Sequence, residues 1–382
     1  MRRLTIGLIA LAPTLPAQNY DDFTLVRNRP RGFSSVLQLQ LGMHGSFTTD
    51  NEVSAIGLED TTALDGHVYY HNARFSSREA QLDAYAGRDG AFLGLRERKP
   101  DGSTSVMELT ARYVPFYRDG FYRNGDFIPA GRYEGGDYGA YFGFGSAAGE
   151  GMTVEFGPYF RRLSFDENDT TPAGFVLPDD FIAYGVRASA EHNTLQLDRP
   201  TGRPLAGFIL TLQIEAERNE SNGFFGSPSF MSSLPEDLWR SRAHLEWYTP
   251  QSGLGTWAIQ IDGKWADDRD RVTNSDAQLP IGHRWVEGEL GLRFDFGSIA
   301  VQPFGTVQWV NALQESGVRN SEDVFFGGGV EMTWDLGDSM SLFADYSYLE
   351  NRSRAPVSGI EDVLGEHQFY AGVTVRIGGQ RL

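Results

Sequence analysis

Residues 207–218 read Gly-Phe-Ile-Leu-Thr-Leu-Gln-Ile-Glu-Ala-Glu-Arg. Phe208, Leu210, Leu212, Ile214 and Ala216 share one parity, and Thr211, Gln213, Glu215 and Glu217 share the other. A period of two is the mark of a strand, whose successive side chains point to opposite faces. One face here is suited to an apolar medium and the other to water, with charge on the watery side.

The same alternation recurs on both sides of this stretch. In Val36–His44, Leu37, Leu39, Leu41 and Met43 oppose Gln38, Gln40 and His44. In Val286–Phe296, Leu290, Leu292, Phe294 and Phe296 oppose Glu287, Glu289, Arg293 and Asp295. Similar segments lie near 105–114, 138–145, 152–161, 181–190, 239–248, 256–265, 299–310, 325–335, 340–348 and 367–377. Each is about 10 residues long, the length a tilted strand needs to cross a bilayer. No long helical pattern interrupts them, so the fold class is all-β.

Connection lengths sharpen this to a topology. Short links rich in turn formers fall at Lys99–Gly102, Ser146–Gly151, Asp198–Pro204, Pro250–Gly255, Gly297–Ser298 and Gly337–Ser339. Longer polar links lie between them, at about 117–136, 166–180, 219–237, 267–282, 313–323 and 350–365. Short–long alternation is expected of a single up-and-down antiparallel transmembrane β-barrel with tight periplasmic turns and long outer loops. A Greek-key sandwich has no reason to put every long loop at one end. The segments parse into about 14–16 strands, with 48–98 the least regular region. Pro158 and Pro303 fall inside strand segments, where a missing donor predicts a bulge or a strand end.

Composition agrees. The 382 residues are 40% hydrophobic and 13% aromatic, with 45 glycines. A barrel needs only moderate hydropathy, because half of each strand faces the lumen. A net charge of −18 argues against nucleic acid as a partner. The absence of cysteine excludes disulfides, thiolate metal sites and a lipid-modified N-terminal cysteine. Arg2 and Arg3, the apolar run Leu4–Ala12 and the small residue closing Leu15-Pro16-Ala17 predict a signal peptide over 1–17. An N-terminal extension over 18–33 and a barrel over 34–378 follow.

Together these features resemble the Gram-negative outer-membrane β-barrel proteins, broadly the porin-like ones. The resemblance is architectural and spans residues 34–378. The last segment places Phe369, Ala371, Val373, Val375 and Ile377 on one face, similar to the C-terminal assembly signal of such barrels, although the chain continues through Gly378–Leu382. Tyr113, Phe160, Trp239, Trp247, Trp257, Trp265, Trp309, Trp334, Tyr346 and Tyr348 suit interfacial girdles. What the resemblance implies is an outer-membrane location and contact with lipid, lipopolysaccharide and the barrel assembly machinery, with a homo-oligomer allowed.

If the apolar faces meet lipid, the polar faces line the lumen. Parity gives as pore-lining candidates Arg112, Arg161, Arg187, Glu215, Glu217, Arg240, Arg242, Glu246, Asp262, Lys264, Glu287, Glu289 and Arg293, joined by Glu108, Glu155, Asp295, Glu331 and Arg376. Fixed charges of both signs set ion preference in a pore; paired across strands they simply fill and stiffen a barrel. Glu215 and Glu217 are placed to face Arg240 and Arg242. Two long loops are aromatic, Pro115–Pro129 and Gly223–Leu238, and either folds inward or packs outside over the mouth. Asp267–Asp270 with Asp276 is a solvated charge run lacking the spacing of a calcium loop.

Catalytic signals are weak. Asn219-Glu-Ser-Asn-Gly223 is similar to the His-x-Ser-Asn-Gly stretch of outer-membrane phospholipases, but asparagine stands where the base belongs and cannot activate Ser221. His244 on the next strand is the alternative base. His67 and His71 lack the glutamate of a metalloprotease helix, and Gly327–Gly329 lies inside a strand segment. No cofactor, metal or catalytic residue is predicted. The leading reading is a passive channel for ions or small polar solutes. The alternatives are a non-conducting structural or surface-binding barrel and, as a minor one, an outer-membrane lipid hydrolase.

Overall fold

The computed structural model describes residues 29–48, 61–75, 80–87, 90–116, 121–123, 126–128, 133–168, 171, 173–199, 201–221, 223–228, 230–233, 236–251, 255–266, 282–313, 319–350 and 365–381. The signal-peptide stretch, most of the extension, and the acidic residues 267–270 and 276 lie outside these. So do the side chains of Pro115–Pro129.

Sixteen long strands close into one antiparallel up-and-down barrel. They are β1 (Phe33–Thr48), β2 (Thr61–Phe75), β3 (Ala80–Gly87), β4 (Gly90–Arg98), β5 (Ser103–Phe116), β6 (Tyr133–Ala147), β7 (Met152–Glu167) and β8 (Phe181–Asn193). The second half comprises β9 (Pro204–Asn219), β10 (Asp237–Gln251), β11 (Gly255–Ala266), β12 (Gly282–Phe296), β13 (Ile299–Leu313), β14 (Arg319–Asp335), β15 (Met340–Glu350) and β16 (Gly365–Arg381). Each pairs with its sequence neighbours, and β1 pairs with β16 from Phe33–Arg381 to Thr48–Glu366, which leaves no free edge. Among the described residues no helix is long and apolar enough to cross a membrane, which does not bear on strands.

Register places every predicted apolar face outward. Phe156, Val186, Ile214 and Leu290 stand 57%, 44%, 57% and 51% exposed, a continuous apolar surface that water would disfavour and lipid would accept. Trp239 and Trp247 on β10, and Trp257 and Trp265 on β11, are each eight positions apart on the outer face. That is about 26 Å along a strand and about 20 Å in height once tilted, close to the band a barrel presents to lipid. Trp265 stacks on Trp309 with centroids 6.2 Å apart at one edge of the band.

Three expectations change. Loop alternation is not strict, because β3 and β4 are joined across residues 88–89 alone at the outer end, and they are the shortest barrel strands. The prolines mark neither bulges nor ends. Pro158 sits mid-strand facing outward, and the β6–β7 ladder passes from Tyr141–Tyr159 to Phe144–Phe156 across it. Pro303 likewise sits where the β12–β13 ladder passes from Gly291–Phe304 to Phe294–Val301. Each proline lacks the N–H that would bond one neighbour, while the ladder to the other neighbour runs unbroken past it, with Pro158 opposite Val186 and Pro303 opposite Val330. Finally, Asp198–Pro204 belongs to a turn that folds under the barrel, as described below.

Candidate functional site: the barrel lumen

All thirteen pore-lining candidates face inward, but the structure splits the lumen into two unlike walls. On β4 to β11 nearly every inward charge is committed to a partner. Asp137 receives hydrogen bonds from Arg112 and from Arg161, the latter at 2.9 Å. Arg161 also reaches Glu217 at 3.3 Å, and the Tyr159 hydroxyl donates to the same carboxylate at 2.7 Å. Glu215, 1% exposed, collects Arg240, Arg187 at 2.7 Å and Arg242 at 3.5 Å. Arg187 extends the chain to Glu108 at 3.0 Å. Arg96 grips Glu155 with two bonds of 2.8 and 3.0 Å. The local cause is register: Arg112 is opposite Asp137, Arg187 opposite Glu215, and Glu215 opposite Arg240. Cross-strand neighbours on one face lie close enough for long side chains to bridge.

Above this network, toward the outer ends of β6 to β10, an apolar, mostly aromatic cluster is buried. Tyr133, Phe165, Phe181 and Leu238 point inward, and Phe175 and Phe225 join them from the loops. Tyr133 lies 5.5 Å from Phe175 and 6.1 Å from Phe165. Val176 and Gly226 form a bridge that ties the two loops together. Part of the loop Gly223–Leu238 therefore seals one side of the mouth.

Toward the periplasmic end two straps cross the barrel. The first is the chain just before β1. Arg31 binds both oxygens of Glu246 on β10, at 2.6 and 2.7 Å. Glu246 also meets the His244 Nε2 at 3.1 Å and accepts from the Tyr248 hydroxyl at 2.8 Å, while the His244 Nδ1 sits 2.6 Å from Asp262. The second is the β8–β9 turn. Arg203 donates to Asp295 at 2.9 Å, to the carbonyls of Gly297 and Ser298 at 3.3 and 2.9 Å, and to Asp335 at 2.6 Å. Arg293 holds the same turn through the Pro204 carbonyl at 2.5 Å. Gly202 adopts φ +76° and passes so close to the Arg31 carbonyl that a Cβ there would stand 2.8 Å from it. The two straps touch, and only a glycine fits at the crossing.

The wall from β12 to β15 is different. Its inward face carries Glu287, Glu289, Asp295, Glu331 and Asp345, against Arg293 among the described side chains. Glu331 is opposite Asp345 across β14 and β15, and Gln302 is opposite Glu331 on the other side. Glu289 stands near the carboxylates of Glu331, Glu287, Asp345 and Asp262. Glu331 is solvent-exposed although it points into the barrel, so water reaches this wall. No group of side chains among the described residues is arranged to hold a metal ion.

The alternative base for Ser221 is ruled out by distance. Ser221 follows the outer end of β9, while His244 is opposite Thr211, ten positions down the strand and about 33 Å away. Both ring nitrogens of His244 are already engaged by carboxylates. Sequence reasoning found the inward faces and offered inward folding of Gly223–Leu238 as one of two alternatives, but missed the straps and the pairing of Arg31.

The class this fold defines is the outer-membrane β-barrel. Two similar solved structures are CdiB from Acinetobacter baumannii and CdiB from Escherichia coli. The first has a TM-score of 0.52 at 12% identity, over 88% of this chain and 60% of that one. The second has 0.51 at 13%, over 88% and 62%. BamA from Haemophilus ducreyi lacking POTRA domains 1-3 scores 0.49 at 13%, over 88% and 70%. The chain thus spans less than two thirds of either CdiB structure, and at these identities the likeness establishes the fold alone. No protein-family model and no curated protein matches the chain.

Proposed function

We propose that this protein is a passive outer-membrane channel for ions or small polar solutes, with a preference for cations. The observation that carries the reading is the direct opposition of Glu331 and Asp345 on a wall that water reaches. Like charges opposite one another on a sheet are destabilising, and the exposure of Glu331 lets water and mobile counter-ions screen this pair. The water path follows β12 to β15, and its field draws cations in and repels anions. Ser221 and His244 stand too far apart to form the nucleophile–base pair of the lipid-hydrolase alternative.

Single-channel recording of the detergent-folded protein in a planar bilayer tests this. Ohmic steps with a cation-selective reversal potential are expected. Anion selectivity would overturn the assignment of the acidic wall. A folded, inserted protein that passes no current would favour the second reading, a non-conducting barrel, which the two periplasmic straps support.

A further inference from the structure

The Arg203 side chain lies in a cluster of oxygens at the periplasmic end of the acidic wall. Its Nη1 donates to Asp295 Oδ1 at 2.9 Å and to the Gly297 carbonyl at 3.3 Å. Its Nη2 donates to the Ser298 carbonyl at 2.9 Å and to Asp335 Oδ2 at 2.6 Å. We propose that these oxygens form a binding site for a monovalent guanidinium cation, which the chain's own Arg203 fills as a tethered blocker. The proposal rests on the channel reading for its purpose, since Asp295 and Asp335 stand where cations drawn along β12 to β15 would leave.

The site is built without help from Arg203. Asp295 ends the inward row of β12, and Asp335, four positions below Glu331, ends that of β14. Beside them is the turn Gly297–Ser298, with Gly297 at φ +68°. The Asp335 amide donates to the Ser298 carbonyl at 2.8 Å, which pins this turn to the end of β14. Hairpin and ladder thus hold the oxygens in place. Arg203 comes to them from the β8–β9 turn, 92 and 132 positions away from the two carboxylates.

Charge and shape choose the ligand. Two carboxylates face two arginines here, because the Arg293 Nε also donates to Asp295, at 3.1 Å. Taking Arg203 away leaves one net negative charge, which a monovalent cation balances and a divalent one overshoots. The oxygens are grouped in pairs about two nitrogens, not around one point as a metal ion would require. A planar guanidinium fork matches them, whereas an ammonium carries its donors on a single nitrogen. Solutes can reach the place: Asp295 is 36% exposed, and Gly297 and Ser298 are exposed as well. A tether holds its own group at an effective concentration in the millimolar range. Free guanidinium therefore finds the site open only when Arg203 is removed or outcompeted.

Calorimetric titration of the detergent-folded Arg203→Ala protein with guanidinium chloride tests this. Millimolar concentrations suffice, far below the molar range in which guanidinium unfolds proteins. Saturable binding of one guanidinium per barrel is expected, at least about tenfold tighter than that of ethylammonium and absent from the wild type over the same range. Adding Asp335→Asn should weaken it about tenfold, the loss of one charged hydrogen bond. Arg203→Lys should also bind guanidinium, more weakly than Arg203→Ala, which keeps the test intact if the alanine variant fails to fold. No saturable binding by either variant, equal binding of ethylammonium, equal binding by the wild type, or indifference to Asp335→Asn would overturn the site. In the bilayer, guanidinium should lower the current of Arg203→Ala at concentrations that leave the wild type unchanged, and an undiminished current would overturn the block. Titration needs no ion current, so a bilayer silent for every variant sinks the channel reading and leaves the site standing.

Discussion

The two walls of the lumen solve one problem in opposite ways. From β4 to β11, charges removed from water are matched one to another, and Glu215 alone serves three arginines. From β12 to β15, carboxylates of one sign face each other, and Glu331 among them is exposed to water. Desolvated charge is tolerable when paired and bonded, whereas hydrated charge needs no partner. The first wall is therefore structural, and under the proposed channel reading the second is where a field would act on solutes. One barrel carries both because its strands share a backbone and differ only in what parity turns inward.

The largest effect should come from breaking the paired wall. Glu215→Gln removes the carboxylate from the buried Arg240 and Arg242 and the half-buried Arg187 and should cost about 3–5 kcal/mol, read as a lowered unfolding midpoint in detergent. An unchanged midpoint would mean the network does not hold that wall. Arg203→Ala should release the strap beneath the lumen at a cost of about 1–2 kcal/mol and raise single-channel conductance. Unchanged conductance would show that the strap does not limit the path. Glu331→Gln should alter stability by less than about 0.5 kcal/mol, or improve it, because a like-charged pair disappears. Its readout is the reversal potential, which should move toward anions. The smallest effect is expected from Arg242→Ala on selectivity. The sequence alone places Arg240 and Arg242 as candidate filter residues, but buried against Glu215 they are part of the wall, and the reversal potential should hold. A shift toward cations would return them to the conduction path.

Much of this was legible in the sequence, because a strand writes its two faces into alternate residues. Phe208 to Ala216 and Glu287 to Asp295 take the faces their parity predicts, and the pairing of Glu215 with Arg240 follows from adjacency on consecutive hairpins. The region 48–98 resisted for an equally physical reason. Ala80–Gly87 mixes small residues with tyrosine and offers no regular contrast of polarity, and a strand of 8 residues is too short to average it out. The straps were not legible at all. Arg203 reads as one residue of a turn, and its partners Asp295 and Asp335 lie 92 and 132 positions away. Arg31 is 215 positions from Glu246. Nothing local marks a side chain that will be used across the width of a barrel. Pro158 and Pro303 misled differently: a proline removes one donor, and a strand with two neighbours survives the loss on one side.

The seam between β1 and β16 pairs the beginning of the barrel with its end, and Gln40 reaches Tyr370 across a separation of 330 positions. Contacts so distant along the chain are entropically the slowest to form. Until they do, both terminal strands expose full-length hydrogen-bonding edges that any other extended chain can join. The last step of folding is therefore also the end of the molecule's greatest vulnerability to aggregation, and a slow-closing variant should be lost as tangled polymer well before its finished barrel shows any weakness.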